Sequence, residues 1–154
     1  MSRRVQIEMT DDEVQAFLAE QRTIICASLG PDGWPHLAPL WHVLRGGRVW
    51  AWTYAASQKV RNLERDPRAS LQAEAGESYD QLRGVLLRTT VTLHRATEDL
   101  EDLGAEIFQR HHGGLTAEVM TMVRKQAAKR VGLEFVPAAP PATWDHRKLA
   151  AGVY

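Results

Sequence analysis

This chain of 154 residues has a single cysteine, Cys26, and so cannot form an internal disulfide. No Cys/His spacing in it matches a zinc site, and no apolar run approaches the ~20 residues that a membrane-spanning helix needs. The opening Met1-Ser2-Arg3-Arg4-Val5-Gln6 lacks the apolar core of a secretory signal, so a cytoplasmic address is expected. An excess of one charge is missing too, since 19 Lys and Arg face 19 Asp and Glu. With no global field to draw it to nucleic acid or an anionic membrane, neither is expected as a partner. Any anion site must be local. Six scattered histidines form no triad, so no side chain is assigned a catalytic role.

What the chain does have is strand-and-turn patterning in one domain, residues 1–154. Thr10-Asp11-Asp12-Glu13 predicts a capping box, with Met9 and Val14 as staple and Val14, Phe17 and Leu18 as the stripe of a first helix. Strands are expected at 22–29, 34–44, 48–54, 69–75, 82–96 and 131–136, with hairpin turns at Gly30-Pro31-Asp32-Gly33 and Gly46-Gly47. Pro39 removes a ladder donor, which puts its strand at an edge or on a bulge. Val85, Leu87, Thr89, Val91 and Leu93 share one face. Two helices follow. Thr97 is expected to cap the first, Leu100, Leu103, Ile107 and Phe108 line it, and Gly113-Gly114 ends it. The second, over 116–129, carries Val119, Met122, Val123 and Ala127, and the tail over 142–149 reads as short and mixed. Consecutive antiparallel strands with one helix across a connection predict a mainly β fold with peripheral helices, closing into a small barrel.

One segment carries chemistry. After the strand that ends at Thr53 and Tyr54, a short loop leads to Ser57, then Lys59, Arg61 and Asn62, and Pro67 forces the helix to end by about Asp66. Ser57 is placed to cap this helix by accepting from the amide of residue 59 or 60. A hydroxyl, free backbone amides and cations at one helix start favour a phosphate. Lys59 is the leading point-charge ligand, Thr53 could donate from the strand end, and Arg61 and Asn62 are weaker candidates. Trp41, Trp50 and Trp52 lie on neighbouring strands. Trp41 is the better ligand-facing candidate, with the backbone of Leu40 and His42 beside it; Trp50 and Trp52 read as barrel core or a subunit contact. His42 and His146 are kept as possible site residues, His111 and His112 as structural, and Cys26 as an inert core thiol.

The run from Ser57 through Lys59 to Asp66-Pro67-Arg68-Ala69-Ser70-Leu71 resembles the phosphate-binding strand and helix of the pyridoxamine 5′-phosphate oxidase-like split-barrel flavoproteins. Residues 27–36 are similar to that family's opening hairpin, and Pro39-Leu40-Trp41-His42-Val43 to the strand along the flavin edge. Tyr79-Asp80-Gln81-Leu82-Arg83-Gly84-Val85 and Thr143-Trp144-Asp145-His146-Arg147-Lys148-Leu149 resemble its flavin/deazaflavin oxidoreductase B branch. The resemblance implies a six-stranded antiparallel split β-barrel and a homodimer with two sites at the subunit interface. It implies a coenzyme, F420 (a deazaflavin) or alternatively FMN, held by Lys59, Ser57, Thr53, Trp41, Leu40, His42, Arg61 and Asn62. The activity implied is hydride transfer to a small conjugated or unsaturated substrate. The alternatives are an FMN-dependent oxidoreductase of the same fold, or a non-catalytic carrier of flavin, deazaflavin or haem. Two departures argue against vitamin B6 oxidation: Gly84 stands where those enzymes place a flavin-contacting glutamine, and the chain ends without their Arg-Leu-x-Pro.

Overall fold

The computed structural model describes residues 2–149; residues 150–154, and with them the close of the chain that differs from Arg-Leu-x-Pro, lie outside the described part. The strands run β1 (Thr23–Leu29), β2 (Pro35–Trp41), β3 (Val43–Arg45), β4 (Arg48–Tyr54), β5 (Arg68–Ala75), β6 (Arg83–His94), β7 (Arg130–Pro137) and β8 (Ala142–Asp145). They form one antiparallel sheet in the order β2-β1-β5-β6-β7-β4-β3, with β8 beside the first half of β6. Both ends of that order, β2 and β3, belong to one extended run. The sheet therefore curls back on itself as a half-barrel.

All six expected strands are present. The count among the described residues rises to eight for two reasons. The run over 34–44 changes partner at His42, pairing with β1 before it and with β4 after it. The His42 ring sits within hydrogen-bond reach of the Leu18 carbonyl (2.9 Å), and its own carbonyl accepts from Arg110, so its polar groups leave the ladder. The tail supplies the second addition, because Ala142–Asp145 pairs with β6 rather than staying irregular. Pro39 lies on β2, an edge of the sheet, where its missing donor costs nothing.

Local chemistry explains the helices, which begin with the one-turn α1 (Arg3–Gln6). In α2 (Asp11–Glu20) the Thr10 hydroxyl accepts from the Glu13 amide and the Glu13 carboxylate accepts from the Thr10 amide, a complete capping box. In α3 (Gln58–Arg65) the Ser57 hydroxyl accepts from the Val60 amide (3.3 Å). The first long helix after β6, α4 (Thr97–His112), is capped by Ala96 without a side-chain bond. Thr97 is thus its first helical residue, a one-residue correction. Gly113 ends it at φ 77°, the left-handed conformation that glycine adopts without a Cβ penalty. The last helix, α5 (Ala117–Ala127), buries Val123 and Ala127, whereas Met122 is exposed and Met120 packs inward instead.

Two apolar cores result. The barrel interior holds Phe17, Leu18, Ile24, Cys26, Leu71, Val85, Leu133 and Phe135 among others. The second lies outside the barrel, between β4 and the α4–α5 pair, around Trp52, Leu100, Leu103, Ile107 and Val123. Trp50 packs against this second cluster, so of the two expected roles, barrel core or subunit contact, barrel core is excluded for both Trp50 and Trp52. The period of two put them on the same face correctly; the face is the one that the helices cover.

Gly84 has a structural reason. A Cβ there would lie 2.2 Å from Cζ2 of Trp144, its cross-strand partner on β8. The glycine leaves room for the Trp144 indole against the backbone. The same tail holds the N-terminal segment: Thr143 Oγ1 accepts from the Met9 amide (2.8 Å), and the Asp145 amide donates to the Ile7 carbonyl (2.7 Å). Lys148 pairs with Glu13 at 2.6 Å.

Candidate functional site

The site grows out of the end of β4. Alternation sends Trp52 outward to the helices and Thr53 inward, and the chain then turns through residues 54–57 into α3. Lys59, in the first turn of α3, points back toward β4 and is only 6 % exposed. Its Nζ donates to Thr53 Oγ1 at 3.3 Å, and among the described residues no carboxylate pairs with it. Burial accordingly holds its pKa below the usual lysine value. A buried ammonium without a counter-ion is costly, and an anion in its place would remove that cost.

Lys59 opens onto a cleft of about 360 Å³ lined by Pro39, Leu40, Trp41, Trp52, Thr53, Lys59, Phe108 and Arg130. Two of these side chains are cations and none is an acid. Trp41 and Phe108 form an aromatic wall, their rings edge-on at 6.5 Å. Each is backed by a histidine from the end of α4: His111 stacks on Trp41 at 4.5 Å, and His112 on Phe108 at 4.9 Å. The cleft can therefore take a planar aromatic group carrying negative charge.

Of the residues singled out from sequence, Leu40, Trp41, Thr53 and Lys59 come together in this cleft. Ser57 caps α3, and its oxygen is occupied by the Val60 amide. Arg61 is exposed on the outer side of the same helix. Asn62 is fully buried, donates to Ser28 Oγ at 3.1 Å and accepts from Gln58, so its amide ties α3 to β1 and faces away from the cleft. His42 is fully buried against α2 and does not line the cleft. His146 lies elsewhere, against Tyr79, whose carbonyl is 2.8 Å from its Nδ1. Sequence reasoning missed Phe108 as a wall, though it saw the stripe on α4 that carries it. Arg130 gave no signal at all, because only the β4–β7 pairing brings it to Tyr54.

Burial pushes the His42 pKa down from 6.5 to about 4, with the Arg110 charge adding to the effect, while the bond to Leu18 opposes it. The unfolded chain titrates near the ordinary value and takes up a proton that the folded chain refuses. Stability contributed by neutral His42 is thus complete above about pH 6.5 and is lost as pH falls toward 4, roughly 3 kcal/mol in all. Thermal melts of His42→Asn should lose most of that slope relative to the parent between these pH values. An unchanged slope would assign it to other groups. Cys26, with its thiol pushed up to about 11 by burial, is an inert core residue as expected.

An antiparallel half-barrel with flanking helices and a cationic, aromatic-walled cleft defines a split-barrel binding domain. The family model described as pyridoxamine 5′-phosphate oxidase matches residues 10–139, and the chain belongs to that family of split-barrel proteins. A conserved hypothetical protein of Mycobacterium tuberculosis is 38% identical, with a TM-score of 0.88 over 96% of this chain and 92% of that one. An F420 reductase shares 20% identity and a TM-score of 0.64 over 81% of this chain and 93% of its own. HutZ, a haem storage protein of Vibrio cholerae, shares 16% identity and a TM-score of 0.66 over 84% and 91%. At those identities the last two show the fold alone. A search of curated protein sequences finds no match. Among the described residues no helix is long and apolar enough to cross a membrane.

Proposed function

We propose that this protein is an oxidoreductase that uses F420 to reduce a small conjugated or unsaturated substrate. The observation that carries the reading is the buried Lys59 ammonium, with no carboxylate partner among the described residues, in a cleft walled by Trp41 and Phe108. The residues present fit such a coenzyme. Lys59 and the Thr53 hydroxyl would take its phosphoryl group at the start of α3. Trp41 and the backbone beside Leu40 would orient its ring, and Arg61, on the outer side of α3, would meet only a part of the tail that extends beyond the cleft. Asn62 and His42 act from behind, by fixing α3 to β1 and the corner between β2 and β3. The bound coenzyme supplies the hydride chemistry, which requires no protein nucleophile. The chain's share is to bind, orient and shield the ring from water.

A homodimer belongs to the same proposal. Ile25, Leu37 and Trp41 on the outer side of β1 and β2, with Trp34 beside them, are exposed apolar side chains on one side of the barrel. Light scattering should return twice the chain's mass.

Titration of the purified protein with F420, FMN and haem, followed by turnover with the reduced coenzyme on a panel of electrophiles, tests the reading. Tightest binding of F420 with turnover is expected. Binding of FMN alone would move the assignment to a flavin oxidoreductase, and binding without turnover would make the protein a carrier.

A further inference from the structure

The cleft contains a second cation to which the coenzyme contacts above assign no role. Arg130 sits on β7 directly opposite Tyr54, one residue from the pairing of Val131 with Thr53. Its guanidinium lies over two rings of β4, with the central carbon 4.1 Å from the centre of Tyr54 and 4.9 Å from that of Trp52. One terminal nitrogen donates to Gln126 Oε1 at 3.1 Å, while Nε is buried and has no partner. Among the described residues no carboxylate pairs with it. A guanidinium has five donors in a rigid fork, and stacking on two rings fixes the plane of that fork without using them.

Two cations line one cleft with no acid among its lining residues, and burial lowers the pKa of each. In a chain whose total charges balance, that pairing is a local arrangement rather than a by-product of composition. A single negative charge would answer only one of them.

We propose that Arg130 is the second anion ligand of the cleft, and that the coenzyme selected there carries two negative charges on its tail, one for Lys59 and one for Arg130. This rests on the coenzyme reading of the same cleft. A phosphate monoester, or a phosphate diester with a neighbouring carboxylate, meets the requirement; a neutral ribityl chain does not. Lys59 supplies a point charge and Arg130 a fork of N–H groups that donates to two oxygens of one group.

The test compares affinities for FMN against riboflavin, and for F420 against its chromophore lacking the phosphate and acidic tail, with inorganic pyrophosphate as a ring-free probe read by tryptophan fluorescence. The protein should prefer each charged compound over its neutral counterpart by at least a hundredfold. Arg130→Gln should cut that preference tenfold or more and leave affinity for the neutral ring within twofold. Arg130→Lys, which keeps charge but not the fork, should recover only part of it, and serves alone if Arg130→Gln does not fold. An unchanged preference, or equal weakening of charged and neutral compounds, would overturn the proposal by making Arg130 a packing residue. If no ring compound binds, the coenzyme reading fails by itself. The anion pair then stands on pyrophosphate quenching that Arg130→Gln abolishes, and falls if the parent protein shows no such quenching.

Discussion

Replacing Lys59 by alanine should weaken coenzyme binding about 10- to 150-fold while leaving the fold intact, a loss of roughly 1.5–3 kcal/mol for one charge-assisted contact. The direction of both effects follows from burial. Lys59 is a charge held almost out of water with one hydroxyl as partner, so the free protein carries its desolvation and gains little from it. Removing the ammonium costs little in the empty protein and a great deal in the complex. A melting temperature unchanged or slightly raised, together with the weaker binding, is the expected pair of results. Unchanged affinity would reduce Lys59 to a strand–helix tie. Lys59→Arg should recover part of the affinity only if the cleft can admit the larger head group.

Arg110→Ala should be strongly destabilising. The Arg110 guanidinium on α4 donates to the carbonyls of Ala19 (2.7 Å), Gln21 (2.5 Å) and Leu18 (3.3 Å) at the end of α2, and to that of His42. Helix C-termini leave their last carbonyls without partners, and here one cation satisfies three of them. The same side chain fixes the corner at His42 and, one residue earlier, the wall residue Trp41. Truncation should cost roughly 2–4 kcal/mol, which lowers the melting temperature of a domain this size by about 5–15 °C. Coenzyme affinity should fall as well, because the wall is no longer braced. A loss below 1 kcal/mol in denaturant titrations would show that water replaces the guanidinium without penalty.

The fold was legible where local rules act alone. The capping box at Thr10 and Glu13, the Gly46-Gly47 turn and the alternation of Val85 to Leu93 each depend on a few neighbouring residues, and each is present as read. What escaped depended on contacts distant in sequence. The break at His42 comes with the contacts to Leu18 and Arg110, and β8 lies on β6 with Trp144 packed over Gly84, which only a residue without a Cβ admits. The same division holds for the site. Lys59 and Thr53 were within reach of a motif, since one strand end and one helix start hold both. Phe108 and Arg130 arrive from α4 and β7, and no spacing announces them. Asn62 sits in the motif yet turns inward, because helical period places it against β1 while Arg61 faces outward. Trp52 was paired correctly with Trp50 on one face, but that the helices cover this face was not foreseen.

Diffraction from crystals of the protein grown with F420 tests the central claim most directly. The account predicts a phosphoryl oxygen about 2.7–2.9 Å from Lys59 Nζ, displacing or sharing its bond to Thr53, with the ring against Trp41. A coenzyme seated instead in the separate cavity beside Arg68 and Arg88, with Lys59 still bonded to Thr53 alone, would contradict it.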